Sequence, residues 1–359
     1  MVGMAGFNLS GFREPRRLVW ITAALGFLFA FLAGMAGHGV LSNILLFYAS
    51  LVLLVESADF LVSGSSRIAK YFGVSTVVIG ITVVAFGTSL PELTVSIIAN
   101  LVGSTGIAIG NVVGSNISNI CLVLGLAALL VPIEIKRELF RFDVPFLLGV
   151  SLLLFMLSMR VFDFTGSGYA IGLIDGVIML MLFLLFMYVQ VSGVHPHDRR
   201  EHSARERRKL PGYILLVLAG LAGVIISAGL LVESGRSIAR FFGVPEVIIG
   251  LTVIAVGTSL PELATNMVAA AKRKFGIAIG NIIGSNIFNI LLVVGATSVV
   301  KPVQNMAESA VLVDMPIMIG LTVLLFFLMR TGLAITRRDG ILLVSLYIIY
   351  IFYLFMRMA

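Results

Sequence analysis

Charge is what this sequence has least of. Asp, Glu, Lys and Arg make up 12% of the 359 residues, while 59% are hydrophobic; a soluble domain is roughly a quarter charged. That deficit excludes a chain surrounded by water and points to an all-α polytopic membrane protein. Hydrophilic stretches are scarce too. The only sizeable one is SGVHPHDRREHSARERRKLPG, Ser192 to Gly212, with six Lys/Arg against three Asp/Glu. It is too short for a regulatory domain, and its His195, His197 and His202 read as solvated residues rather than as a metal site. With Cys121 the sole cysteine, no intrachain disulfide can form, and its place in an apolar run makes it a packing residue. The net charge of +7 comes from residues scattered between apolar runs, so no basic face for nucleic acid exists.

Those apolar runs, at about 20 residues per span, give eleven segments: Arg17 to Ala36, Leu41 to Ser65, Ser75 to Asn100, Gly106 to Val131, Asp143 to Met159, Tyr169 to Val191, Pro211 to Val232, Pro245 to Ala271, Gly276 to Val300, Ser309 to Met329 and Asp339 to Met356. With the spans alternating, 20 of the 25 Lys/Arg fall on the side of the N-terminus. The positive-inside rule makes that side cytoplasmic. The N-terminus and the central loop are thus expected inside and the C-terminus outside, in a multi-pass protein of the cell membrane. The first run has a basic start but no A-x-A-like cleavage site after it, and is read as a true span.

A duplication organises the rest. An offset of 170 carries GTSLPEL at Gly87 to Leu93 onto Gly257 to Leu263, and GIAIGNVVGSNISNI at Gly106 to Ile120 onto GIAIGNIIGSNIFNI at Gly276 to Ile290. Each unit holds five spans, and an odd number forces the second copy to enter the membrane inverted, as in secondary transporters. The expected organisation is an extra N-terminal helix in 1–40, a first five-helix repeat in 41–191, a basic loop in 192–210 and a second repeat in 211–359. That makes ten core helices plus one.

The repeated words carry chemistry that a bilayer penalises. A carboxylate near the membrane centre costs about 2.5 to 3.5 kcal/mol or more and marks an ion pathway by default. Pro91 withholds a backbone donor, which loosens carbonyls between Ala85 and Thr88. Glu92 follows Thr88 by one turn and Ser89 by three residues, so the three oxygens are expected to face one point. In the next helix Ser115 and Asn119 share a face. The second copy supplies Thr258, Ser259, Glu262, Ser285 and Asn289. Two carboxylates with hydroxyl, amide and carbonyl oxygens suit a hard cation, Ca²⁺ or Na⁺. Gly110, Gly114, Gly280 and Gly284 form a small-xxx-small pattern for close helix packing. Glu56, Asp59 and Glu233 read as interface or helix-end residues, and Asp143, Asp175, Asp314 and Asp339 as helix N-caps.

Paired GTSLPE and GN-x-x-GSN-x-x-N words in two five-span halves resemble the alpha repeats of the cation/calcium exchanger superfamily, particularly the prokaryotic sodium/calcium exchangers. The resemblance runs from about Leu41 to the C-terminus. It implies a central cation site made by Glu92, Thr88, Ser89, the Ala85 carbonyl, Ser115 and Asn119, with Glu262, Thr258, Ser259, the Ala255 carbonyl, Ser285 and Asn289. Some relatives carry Asp at one copy of the final position, and potassium-dependent ones do so at the position matching Asn289; both copies are Asn here. The implied activity is antiport of Na⁺ against Ca²⁺, normally exporting Ca²⁺, with the ions as substrates, the bilayer as partner and no cofactor. A proton-coupled divalent-cation antiporter on the same fold is the alternative. An intramembrane protease would need paired aspartates in Tyr-Asp and Gly-x-Gly-Asp contexts, which the chain lacks, and an inverted repeat suits alternating access better than a channel.

Overall fold

The computed structural model describes residues 25–33, 39–137, 139–160, 168–192, 209–243 and 257–358. These build α1 (Gly39–Phe72), the bent pair α2 (Thr76–Thr88) and α3 (Leu90–Leu101), α4 (Thr105–Leu130), α5 (Leu139–Ser158), α6 (Leu173–Ser192) and α7 (Leu210–Phe241). Then come α8 (Leu260–Ala271), α9 (Phe275–Val300), α10 (Ala310–Arg330) and α11 (Arg337–Met358). Among the described residues, eight helices are long and apolar enough to cross a bilayer, or nine when α2 and α3 count as one span. The two remaining sequence spans, Arg17 to Ala36 and Pro245 to Ala271, lie partly outside the described residues. Of the first, 25–33 is helical, and Ser42 Oγ on α1 donates to the Ala30 carbonyl at 2.7 Å.

Two helices outrun their apolar stretches. α1 has 34 residues and α7 has 32, about 50 Å each at 1.5 Å per residue, against a hydrocarbon layer of about 30 Å. Their last turns continue through polar sequence that a hydropathy reading ends at Ser65 and Val232. The pair packs lengthwise, and at the crossing a Cβ on Gly220 would lie 2.5 Å from the Leu61 backbone nitrogen. Only glycine permits that approach.

The main apolar core is formed by α4, α9 and the helices around them, including Ile117, Ile120, Cys121, Phe288 and Leu291. α1 and α7 share smaller clusters with α2, α8 and the start of α9. Large side chains on the outer helices, such as Leu185 and Tyr188 on α6, Leu215 on α7 and Phe352 on α11, are exposed. Lipid is the solvent that suits them.

The halves are stitched at their ends. Strand β1 (Ile133–Glu134) pairs antiparallel with β2 (Ala334–Ile335), and Ile171 bridges to Val303. Asn100 Nδ2 donates to the Lys301 carbonyl at 2.6 Å, and Lys301 Nζ donates to the Leu101 carbonyl at 3.3 Å. Lys272, just past α8, pairs with Asp59 and donates to Ser63 Oγ at 2.9 Å, both on α1.

The acidic residues outside the repeated words divide differently from the sequence reading. Glu56, Asp59 and Glu233 lie within helices, which removes the helix-end half of their reading and leaves the interface half; Glu233 is exposed and 3.7 Å from Arg236. Asp175 and Asp339 are third residues of their helices rather than N-caps; each reaches back to accept from the backbone N–H before the helix, of Gly172 and Thr336, at 2.8 Å, the second half of a capping box. Asp143 and Asp314 do not cap. Each lies inside its helix, at the end of the π-helical turn that opens α5 or α10, and is taken up by a distant partner: Gln190 Nε2 donates to Asp143 Oδ1 at 2.5 Å, and Arg357 binds Asp314 at 3.2 Å.

Candidate ion-binding site

The site begins where α2 stops. α3 leaves it at 42°, because Pro91 has no N–H to give the Gly87 carbonyl and its ring clashes with the preceding turn. Ser89 takes the corner at φ −87°, ψ 4°. Proline is welcome in a first turn, so α3 restarts at Leu90 and holds Glu92 in that turn. The second copy repeats this: Ser259 has φ −86°, ψ 1°, and α8 carries Pro261 and Glu262 in its first turn. Both carboxylates therefore sit at the positive ends of half-helices, which offsets part of the cost of burying them. Both are fully buried, and they interact electrostatically.

α4 and α9 supply the remaining walls. Ser115 Oγ donates to Glu92 Oε1 at 3.4 Å, and Ser285 Oγ to Glu262 Oε1 at 3.4 Å. Asn119 Nδ2 donates to Asn286 Oδ1 at 3.0 Å, and Asn289 Nδ2 to Asn116 Oδ1 at 3.1 Å. At Asn119 and at Asn289 each helix widens into a π-helical turn, Asn119–Val123 and Asn289–Val294. Such turns recur at functional sites.

Past the corner at Ser89, Thr88 Oγ1 makes its side-chain contacts with the other half, 3.4 Å from Ser285 Oγ and beside Glu262. Thr258 crosses the opposite way, 3.4 Å from Ser115 Oγ and beside Glu92. An unbroken helix would have kept Thr88 and Glu92 on one face; the proline that loosens the backbone also redirects the hydroxyl. The Ala85 carbonyl accepts from the Ser89 N–H at 3.0 Å, so a cation there would use its second lone pair. Ala255 lies outside the described residues.

What remains open is a matched set of oxygens. Ser89 Oγ, Glu92 Oε2 and Asn119 Oδ1, with Ser259 Oγ, Glu262 Oε2 and Asn289 Oδ1, are buried and make no hydrogen bond. An unpaired buried polar atom costs about 1–3 kcal/mol, so these oxygens, with Ser89 beside Glu262 across the halves, favour an external partner. Both Asn119 and Asn289 spend their NH₂ groups on the facing helix, so their oxygens are bare acceptors of the kind a cation takes. Among the described residues no three His, Cys, Asp or Glu side chains gather. The donor set is two carboxylates among neutral oxygens, which suits Na⁺ or Ca²⁺ rather than a thiolate- or imidazole-bound metal.

Four amides that the motif reading passed over belong here: Asn116 and Asn286, which hold Asn119 and Asn289, and Asn111 and Asn281, which accept from the two threonines. Their signal was present, since each recurs at the 170-residue offset. Of the glycines, Gly280 and Gly284 are packed as expected; a Cβ on Gly284 would lie 2.7 Å from the Ile81 carbonyl of α2. A Cβ on Gly110 or Gly114 meets nothing within 4 Å.

Two buried carboxylates in the first turns of half-helices, walled by two polar core helices in an apolar bundle, are the arrangement of an ion transporter. Residues 42–192 and 212–356 match the sodium/calcium exchanger protein family, and the chain belongs to that family. It is 34% identical over 345 residues to the sodium/calcium exchanger MaX1 of Methanosarcina acetivorans, covering 87% of this chain and 98% of that one. It is 38% identical over 315 residues to the putative antiporter CaxA of Alkalimonas amylolytica, covering 85% and 96%. Among solved structures it is similar to the sodium-calcium exchanger NCX_Mj soaked with 10 mM Na⁺ and no Ca²⁺, with a TM-score of 0.76 and 34% identity over 87% of this chain and 98% of that one.

Proposed function

We propose that the protein is a secondary-active antiporter that moves Na⁺ inward and Ca²⁺ outward across the cell membrane, with both ions competing for one site between its halves. The observation that carries this is the set of six buried oxygens without hydrogen-bond partners around Glu92 and Glu262. Two formal charges balance one Ca²⁺ or two Na⁺. Glu92 and Glu262 are the charged ligands, Ser89, Ser259, Ser115, Ser285, Thr88 and Thr258 the hydroxyl ligands, Asn119 and Asn289 the amide ligands, and the Ala85 and Ala255 carbonyls complete the set.

The architecture proposed for it is two inverted five-helix repeats, 41–191 and 211–359, joined by the basic loop 192–210 and preceded by one extra helix in 1–40. Reciprocal contacts support the repeat. The Asn119–Asn286 bond is mirrored by Asn289–Asn116, and the pairing of Ile133 with Ile335 is mirrored by the bridge of Val303 to Ile171. The same contacts support the alternation of the spans, and the positive-inside rule then favours a cytoplasmic N-terminus. Ile133 and Ile335 fall in connections that the alternation of spans puts on the basic side, and Ile171 and Val303 in connections it puts opposite.

The test is radioactive calcium uptake into proteoliposomes. Uptake driven by an outward Na⁺ gradient and not by a pH gradient is the expected result. Uptake driven by the pH gradient alone would replace Na⁺ with H⁺ as the coupling ion.

A further inference from the structure

Thr88 and Thr258 each have a single hydroxyl proton, and where it goes decides whether a cation meets oxygen or hydrogen. Thr88 Oγ1 donates to Asn281 Oδ1 at 3.1 Å, and Thr258 Oγ1 to Asn111 Oδ1 at 3.2 Å. Around Thr88 there are also Ser285 Oγ at 3.4 Å, the Ala85 carbonyl at 3.5 Å and the Glu262 carboxylate, which competes with Asn281 for the same proton. Asn111 and Asn281 lie one helical turn before Ser115 and Ser285, and both are buried. We propose that Asn111 and Asn281 are positioning residues for ion selection, each drawing a threonine proton from the opposite half out of the site so that the hydroxyl presents only lone pairs to the ion.

The proton balance supports this. A hydroxyl has one donor and two lone pairs. With the proton on the amide, both lone pairs stay available, and the neighbouring serines are free to give their own protons to Glu92 and Glu262. Without the amide, the nearest strong acceptor for Thr88 is the carboxylate of Glu262, which it already flanks. A proton placed there competes with the cation for the same oxygen.

The two amides are held differently. Asn111 Nδ2 donates to the Glu92 carbonyl at 3.1 Å and to Ser96 Oγ at 2.9 Å, which forces its oxygen toward Thr258. At the position equivalent to Ser96 the second copy has Asn266, whose own NH₂ donates to the Glu262 carbonyl at 2.8 Å. Asn281 Nδ2 and Asn266 Oδ1 are left buried without partners. The first amide is locked by its neighbours and the second is held chiefly by Thr88, so Asn281 is the one whose effect should run wholly through its threonine.

This inference rests on the site reading above, and a double-mutant cycle on the purified full-length protein tests it. Half-saturating Ca²⁺ and Na⁺ are measured for wild type, Asn281→Ala, Thr88→Val and the double variant, with Asn111→Ala and Thr258→Val as a second cycle should one variant not fold. Asn281→Ala should raise the half-saturating concentration of at least one ion by about 3- to 10-fold, the worth of one buried hydrogen bond. The double variant should be no worse than Thr88→Val alone. Multiplying losses in the double variant, or unchanged half-saturation in Asn281→Ala, would overturn the positioning role while leaving the exchanger reading intact. A wild type without cation exchange would overturn both.

Discussion

Asn119 on α4 gives its amide protons to Asn286 on α9 at 3.0 Å, and the bond is returned by Asn289 to Asn116 at 3.1 Å. The backbones join in, with Asn116 Nδ2 donating to the Asn286 carbonyl at 3.4 Å and Asn286 Nδ2 to the Asn116 carbonyl at 3.5 Å. These four amides hold the core helices together and leave the Asn119 and Asn289 side-chain oxygens bare. Asn286→Leu removes the acceptor of Asn119 and leaves a buried NH₂ without a partner. It should cost about 1–3 kcal/mol of stability and weaken ion binding, both readable as a lower detergent melting temperature with a smaller upward shift on adding Ca²⁺. A variant that melts like wild type would remove the girdle from the account.

Glu92→Gln and Glu262→Gln keep shape while removing half of the charge that faces a divalent ion. Breaking a buried charge pair costs about 3–5 kcal/mol, so Ca²⁺ transport should fall below about 1% of wild type with the protein still monodisperse. Ser89→Ala and Ser285→Ala remove neutral ligands and should shift half-saturation by about 3- to 10-fold. Near-normal exchange in either Gln variant would place the site elsewhere.

The broken helices, the two carboxylates and the duplication could be read directly, because proline, charge and repetition are one-dimensional signals. The crossing of Thr88 to Glu262 could not, since it depends on the 42° bend, and a linear reading assumes one continuous helical face. Asn111 and Asn116 were hidden for another reason. A polar residue in an apolar helix declares itself as buried, but whether it touches the ion or another amide is decided by a helix 170 residues away.

Gly284 tests the packing between α2 and α9. An added Cβ would lie 2.7 Å from the Ile81 carbonyl and 2.7 Å from Ala85 Cβ, and backbone cannot swing aside as a side-chain end can. Gly284→Ala should therefore cost about 1–3 kcal/mol and displace the Ala85 carbonyl. Gly320→Ala in α10, with nothing within 4 Å, is the control and should be neutral or stabilising by about 0.5–1 kcal/mol. Equal melting temperatures for the two variants would contradict the close contact.

Topology is open to cysteine labelling in a Cys121→Ser background. An eleven-span chain should expose its N-terminus and the 192–210 loop to the cytoplasm and its C-terminus to the outside. If the first run did not cross, Arg13, Arg16 and Arg17 would move to the other side and the basic bias would weaken from 20 against 5 to 17 against 8. Both termini labelled from one side would require an even number of spans.

Exchange should also be independent of K⁺ and electrogenic. An amide at Asn289 supplies an oxygen but no third negative charge, whereas the family resemblance implies an Asp at this position in potassium-dependent relatives. The site then holds two formal charges, on Glu92 and Glu262, which one Ca²⁺ or two Na⁺ would balance. Its oxygens exceed what two Na⁺ require: Ser89, Ser259, Asn119 and Asn289 all have buried, unpartnered oxygens beyond the carboxylates. A third Na⁺ bound by them would be unmatched by protein charge, so each cycle would carry one positive charge inward as Ca²⁺ leaves. In vesicles with fixed ion gradients, an inside-positive potential should slow Na⁺ entry coupled to Ca²⁺ exit. A flux indifferent to voltage would remove the third Na⁺. Replacing K⁺ with choline at clamped potential should change nothing, and a strict K⁺ requirement would refute the part assigned to Asn289.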